Sequence, residues 1–114
     1  MADEFRTDDG VRLRKFIDVV VEDKVSFTLF RASIADISPT GMRVLSEQYL
    51  PKRTVYTFSF KRAPFFVFRG EVRWVETFER DVFAVGVQFL DLSADDQARL
   101  TEFLEIERQR APSA

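Results

Sequence analysis

Three stretches of the chain alternate apolar and polar residues with a period of two. In Val55–Lys61, Tyr56, Phe58 and Phe60 fall on one face and Thr57, Ser59 and Lys61 on the other. In Phe66–Glu76, Phe66, Phe68, Val72 and Trp74 stand opposite Arg69, Glu71 and Arg73; further on, Phe83, Val85, Val87 and Phe89 alternate with Ala84, Gly86 and Gln88. Such alternation predicts antiparallel strands with one face buried. The β-branched run Ile17–Val21 predicts the first strand. Ser26–Ile37 predicts a longer second strand, with a bulge near Leu29 and Phe30 that turns both inward. Ser38–Gly41 reads as a turn, Met42–Glu47 as the next strand, and Leu50–Arg53 as a connection.

Beyond Leu92 the period changes. Leu100, Phe103 and Leu104 sit at helical spacing, Ser93 is a good N-cap, Asp95 and Asp96 occupy the first turn, and Arg108 and Arg110 suit the C-terminal end. The expected fold is therefore all-β, a six-stranded antiparallel barrel with one C-terminal α-helix covering its open side. One domain is expected over residues 11–110, with an acidic flexible tail over 1–10 and a short tail over 111–114.

Composition narrows the chemistry. The chain has 114 residues with neither Cys nor His, which removes the usual zinc sites, thiol nucleophiles and every triad that needs imidazole. Its carboxylates form no motif with a nucleophile or with metal spacing, so no enzyme and no required cofactor are expected. Thirteen Phe supply much buried area for a small core. In Pro64–Phe68, alternation cannot bury both Phe65 and Phe66, so one is expected to point outward. A net charge of -2 disfavours nucleic acid as a partner. The acidic start and the lack of any long apolar run predict a soluble cytoplasmic protein without membrane insertion. Arg69, Glu71 and Arg73, of mixed sign, read as the exposed face of one strand that pairs across to its neighbours.

The most informative segment is Asp36-Ile37-Ser38-Pro39-Thr40-Gly41. Locally it is a well-made turn: Asp and Ser side chains bond nearby amides, Pro sets φ, and Gly tolerates unusual backbone angles. A basic cluster, Arg12, Arg14 and Lys15, precedes it; Gly70-x-Val72-x-Trp74, Val85-Gly86-Val87-Gln88-Phe89 and a capped helix follow. In this order the chain, from roughly Val11 to Glu107, resembles the PilZ domain family.

The resemblance implies a bacterial signalling module, a receptor or adaptor that binds cyclic di-GMP and controls motility or surface behaviour through a protein partner. Residue by residue it carries Asp36, Ser38 and Gly41 onto the family's guanine-binding turn. The carboxylate of Asp36 suits the N1/N2 donor edge of guanine, Ser38 adds a hydrogen bond, and Gly41 admits close backbone approach. The family's other motif, two arginines four apart before the first strand, holds phosphate and stacks on a base. Here Arg14 takes the first position and Asp18 the second. Arg12, Arg14 and Lys15 are the cations available to compensate; the same three beside an acidic tail also read as a self-neutralising solvated segment. The alternative function is a degenerate adaptor that has lost the messenger and binds its protein partner constitutively.

A charge-assisted hydrogen bond contributes roughly 1.5–3 kcal/mol, and a carboxylate in its place adds repulsion toward phosphate. Asp18→Arg is therefore expected to raise cyclic di-GMP affinity by about ten- to a hundredfold in a calorimetric titration. Unchanged affinity would sink the assigned register.

Overall fold

The computed structural model describes the backbone of residues 13–61 and 66–110 and the side chains of 17–61 and 66–109. Both predicted tails, Arg12 and Phe65 lie outside the described residues, as do the side chains of Arg14 and Lys15. Six strands are present: β1 (Leu13–Asp23), β2 (Thr28–Ile37), β3 (Gly41–Ser46), β4 (Val55–Phe60), β5 (Val67–Glu79) and β6 (Val82–Leu90). One helix follows, α1 (Ala94–Arg110). The strands close into an antiparallel barrel in the order β1-β2-β3-β6-β5-β4. The β3–β4 connection therefore crosses one end of the barrel. It is pinned there by two bonds to β5, from the Arg53 amide to the Val72 carbonyl and from the Val72 amide to the Thr54 carbonyl, and Leu50 within it is buried.

The alternating apolar residues fill the barrel as their period requires. Ile17, Val19 and Val21 of β1 meet Phe58 and Phe60 of β4, Phe68 of β5, and Val85, Val87 and Phe89 of β6. Phe66, just ahead of β5, is buried. Gly70 lies between them because there is no room for more: a Cβ there would stand 2.4 Å from Val87 Cγ1 and 3.2 Å from Phe58 Cε1. At the end of the barrel away from the β3–β4 connection, α1 lays Leu100, Phe103 and Leu104 on this core. The Phe103 ring lies 4.3 Å from that of Phe60, centroid to centroid. Ser93 caps α1 reciprocally: the Asp96 amide donates to Ser93 Oγ at 3.0 Å and the Ser93 amide donates to Asp96 Oδ2 at 3.3 Å.

Two expectations are corrected. The bulge expected near Leu29 and Phe30 is absent; β1 and β2 pair regularly there, with Val21 opposite Phe30 and Glu22 opposite Leu29. Phe30 packs against the core while Leu29 points outward and is exposed. The bulge of β2 falls instead between Ile34 and Asp36, in its pairing with β3. Trp74 was expected on the inner face with Val72. A bulge between Val72 and Trp74 adds one residue to β5, so Trp74 stands opposite Gly86 on the outer face and Val75 takes the inner position opposite Val85.

The loop joining β1 and β2 is held by Asp23, whose Oδ1 accepts from the amides of Val25 at 2.9 Å and Ser26 at 3.4 Å. The Val25 bond keeps the Asp23 carboxyl below its ordinary range, against a smaller opposing effect of desolvation, with the Ser26 bonds adding to the lowering.

Removing the Phe103 ring deletes its contact with Phe60 and leaves a cavity between helix and barrel. Phe103→Ala is expected to cost about 3–5 kcal/mol, read as a lower urea midpoint. A loss below ~1 kcal/mol would show that the helix is not part of the cooperative core.

Candidate functional site

Backbone hydrogen bonding places the turn between β2 and β3. The Ser38 amide donates to the Gly41 carbonyl at 2.8 Å, which closes a two-residue loop over Pro39 and Thr40. Ser38 is wholly buried, and its hydroxyl serves the turn: Oγ donates to the Gly41 carbonyl at 3.3 Å and accepts from the Thr40 amide at 3.3 Å. The turn is also tied to β6. Gly41 pairs with Gln88, and the Phe89 amide donates to the Thr40 carbonyl at 3.0 Å. Two sequence motifs far apart in the chain are thus one hydrogen-bonded unit.

The bulge between Ile34 and Asp36 sets the direction of Asp36. Ile34 pairs with the inward Val44, and after the extra residue Asp36 pairs with Arg43 on the outer face. Asp36 Oδ2 and Arg43 Nε form an ion pair at 3.3 Å, with side-chain exposures of 6% and 29%. The carboxylate end of the pair is sheltered and the guanidinium end partly open to water, so the pair is screened less than one on an open surface.

Following the register outward from this pair gives a row across five strands. Arg14 of β1 stands opposite Asp36, Asp36 opposite Arg43, Arg43 opposite Gly86, and Gly86 opposite Trp74. Gly86 is required here, since a Cβ on it would lie 2.2 Å from Trp74 Cε2 and Nε1. The indole thus fills the space that a side chain at Gly86 would occupy. With strands about 4.8 Å apart, Arg43 and Trp74 flank Gly86 with their backbones about 10 Å apart. The neighbouring row holds Gly41, Gln88 and Glu71. Arg73 borders both rows, donating from Nη1 to Gln88 Oε1 at 2.5 Å and standing 3.7 Å from Glu71 Oε1. Arg69 reaches Asp91 Oδ2 at 2.8 Å. The mixed-sign face of β5 is therefore engaged across strands, as its alternation suggested.

Of the candidate residues, Asp36, Ser38 and Gly41 come together at one end of the outer face, and the backbone of Arg14 lies beside them. Lys15 follows in β1, at the irregularity between Arg14 and Ile17. Asp18 is exposed and pairs with Ser33, farther along β2 from Asp36 than Arg14 is. Arg43 and Trp74 join the site only through the fold; Trp74 stands out in the sequence as part of a motif but not as a site residue. Alternation around Met42 and Val44 does put Arg43 outward; the position of Trp74 depends on a bulge that leaves no mark in the local pattern. Among the described residues, no cluster of three metal-ligating side chains occurs and no helix is long and apolar enough to cross a membrane.

The family model described as PilZ domain matches residues 4–105. No curated protein matches the sequence. Among solved structures the chain is similar to the Bacillus subtilis inhibitor of motility MotI/DgrA, with a TM-score of 0.70 and 14% identity over 90% of this chain and 51% of that one. It is similar to the PilZ domain of Escherichia coli YcgR, solved with c-di-GMP, with a TM-score of 0.70 and 14% identity over 87% of this chain and 90% of that one. It also resembles the K. pneumonia MrkH–c-di-GMP complex, with a TM-score of 0.69 and 17% identity over 87% of this chain and 52% of that one. The chain spans about half the length of MotI and MrkH, and nearly all of the isolated YcgR domain.

Because the Ser38 hydroxyl bonds within the turn, Ser38→Ala is expected to lower stability by about 1–3 kcal/mol in urea unfolding. An unchanged midpoint would mean that the hydroxyl contributes nothing to holding the turn.

Proposed function

Since the chain belongs to the PilZ domain family, we propose that it is a non-enzymatic signalling module that binds cyclic di-GMP on the outer face of its barrel and acts through a protein partner. The observation that carries this is the row Arg14–Asp36–Arg43–Gly86–Trp74 beside the turn Ser38–Gly41. A cyclic dinucleotide needs an acceptor for its guanine edge, cations for its phosphates, and flat surfaces for its bases. Asp36 is the acceptor. Ser38 and Gly41 shape the backbone beside it. Arg12, Arg14 and Lys15 are the phosphate-binding cations. The Trp74 indole offers a stacking surface, and a base stacked on an aromatic ring contributes about 1–3 kcal/mol. Residues 11–110 form the module and 1–10 and 111–114 its tails.

The exposed Asp18 favours a second reading, in which the chain has lost the messenger and binds its partner constitutively. Trp74 is the single tryptophan, so its fluorescence reports on the site directly. Titration with cyclic di-GMP is expected to release heat in the low micromolar range and to change Trp74 emission over the same range, and Asp36→Ala is expected to remove both signals. No heat into high micromolar ligand would overturn ligand binding and leave the constitutive adaptor.

A further inference from the structure

The end of the barrel opposite the Ser38–Gly41 turn carries a different surface. The β1–β2 loop and the start of β2 expose Val25, Phe27 and Leu29 at 89%, 84% and 64% of their full accessible area, and Tyr49 is exposed nearby. These residues are presented rather than loose: Phe27 has a left-handed φ of 61°, its amide donates to the Asp23 carbonyl at 2.8 Å, and the Asp23 carboxylate grips the amides of Val25 and Ser26. A non-glycine residue held in that conformation costs about 1 kcal/mol or more, offset here by the surrounding bonds.

Beside this tip the barrel wall is incomplete. β3 pairs with β2 only from Ser33 onward, so among the described residues Thr28–Ala32 pair with β1 alone. Between that open edge and the chain at Gln48–Leu50 lies a cleft of about 280 Å³, lined by Leu29, Phe30, Tyr49, Leu50 and Tyr56 among others. An open strand edge beside exposed apolar side chains is a template for another strand.

We propose that this edge pairs with the same edge of a second copy of the chain, antiparallel about a two-fold axis at Phe30. Two identical edges meet in a self-complementary way in such an arrangement. The register then puts Leu29 opposite Arg31 of the second copy, and the reverse, with the two Phe30 side by side. In one copy Glu22 is the cross-strand neighbour of Leu29, while Arg31 stands opposite Val20. Across the axis, Arg31 of one copy lies over Leu29 of the other with its charge toward Glu22, which within its own copy stands 3.6 Å from the exposed Lys24. The aliphatic stem of Arg31 covers the exposed Leu29 and its head meets a carboxylate. Phe27 of each copy falls just beyond the paired segment, level with Ser33 of the other at the end of its β3. The Ser38–Gly41 turn, at the far end, lies outside this interface.

Sedimentation and light scattering on the full chain test this, with the wild type expected to form a concentration-dependent dimer. A strict monomer into high micromolar concentration overturns it. A charged residue on an open edge can instead serve to keep partners away. Arg31→Ala separates the two: weaker association by about tenfold supports the pairing, whereas unchanged or stronger association overturns it. The chain has no cysteine of its own, so Leu29→Cys with Arg31→Cys adds a clean covalent probe. The double variant is expected to cross-link between copies under mild oxidation. The single variants are not, because like positions lie about 8 Å apart across the axis. A dimer that fails to cross-link in the double variant has a different interface and also overturns the proposal. Circular dichroism on each variant confirms that the fold is retained.

Discussion

The antiparallel ladder between β3 and β6 holds together everything of interest on the outer face. It joins strands separated by some forty residues of chain, and it decides which strand ends meet. Gly41 pairs with Gln88 and the Phe89 amide bonds the Thr40 carbonyl, so the turn between β2 and β3 is seated on β6 and not free at a loop tip. The same ladder sets Arg43 opposite Gly86 and thereby connects the Asp36–Arg43 pair to Trp74. Without it the motif residues would be a local turn; with it they are one end of a surface that crosses five strands.

That surface depends on two one-residue insertions. A strict period of two would bring Trp74 inward opposite Val85; the bulge after Val72 reverses this and sets the half-buried indole on the outer face beside Gly86. The bulge after Ile34 likewise aims Asp36 at Arg43 on the outside while Ile37 returns to the core. Bulges add twist and re-aim side chains at small energetic cost, which is why they recur beside binding surfaces. The interior shows the opposite economy. Phe58, Phe60, Phe66, Phe68 and Phe103 pack ring on ring, and Gly70 is small because Val87 and Phe58 fill the space beside it.

The two ends of the barrel are built differently. One carries the turn, the start of β1 and the helix lying across Phe60. The other is bridged by the β3–β4 connection with Leu50 as its plug, and presents a stiffened apolar hairpin beside an open strand edge. Closure of a sheet into a barrel removes edges only where neighbouring strands match in length. β2 runs on past the last residue of β3, and that mismatch is what leaves Thr28–Ala32 unpaired on one side.

Much of this was legible in the amino-acid sequence. Alternation in β4, β5 and β6 follows from burying one face of a sheet, and the helix announced itself through its Ser93 cap and the spacing of Leu100, Phe103 and Leu104. The Asp36–Gly41 turn stood out because Asp, Ser, Pro and Gly each favour a specific local geometry. These are properties of neighbours in the chain, and neighbours are what a sequence specifies. The outward Trp74, the pairing of Asp36 with Arg43, the exposure of Leu29 and the open edge of β2 were decided only in three dimensions. Each depends on register between strands far apart in sequence, and a shift of one residue exchanges the inner and outer faces of a strand. Local patterning determined that this chain makes strands with an aromatic core; tertiary pairing decided which side chains those strands present to a ligand or a partner.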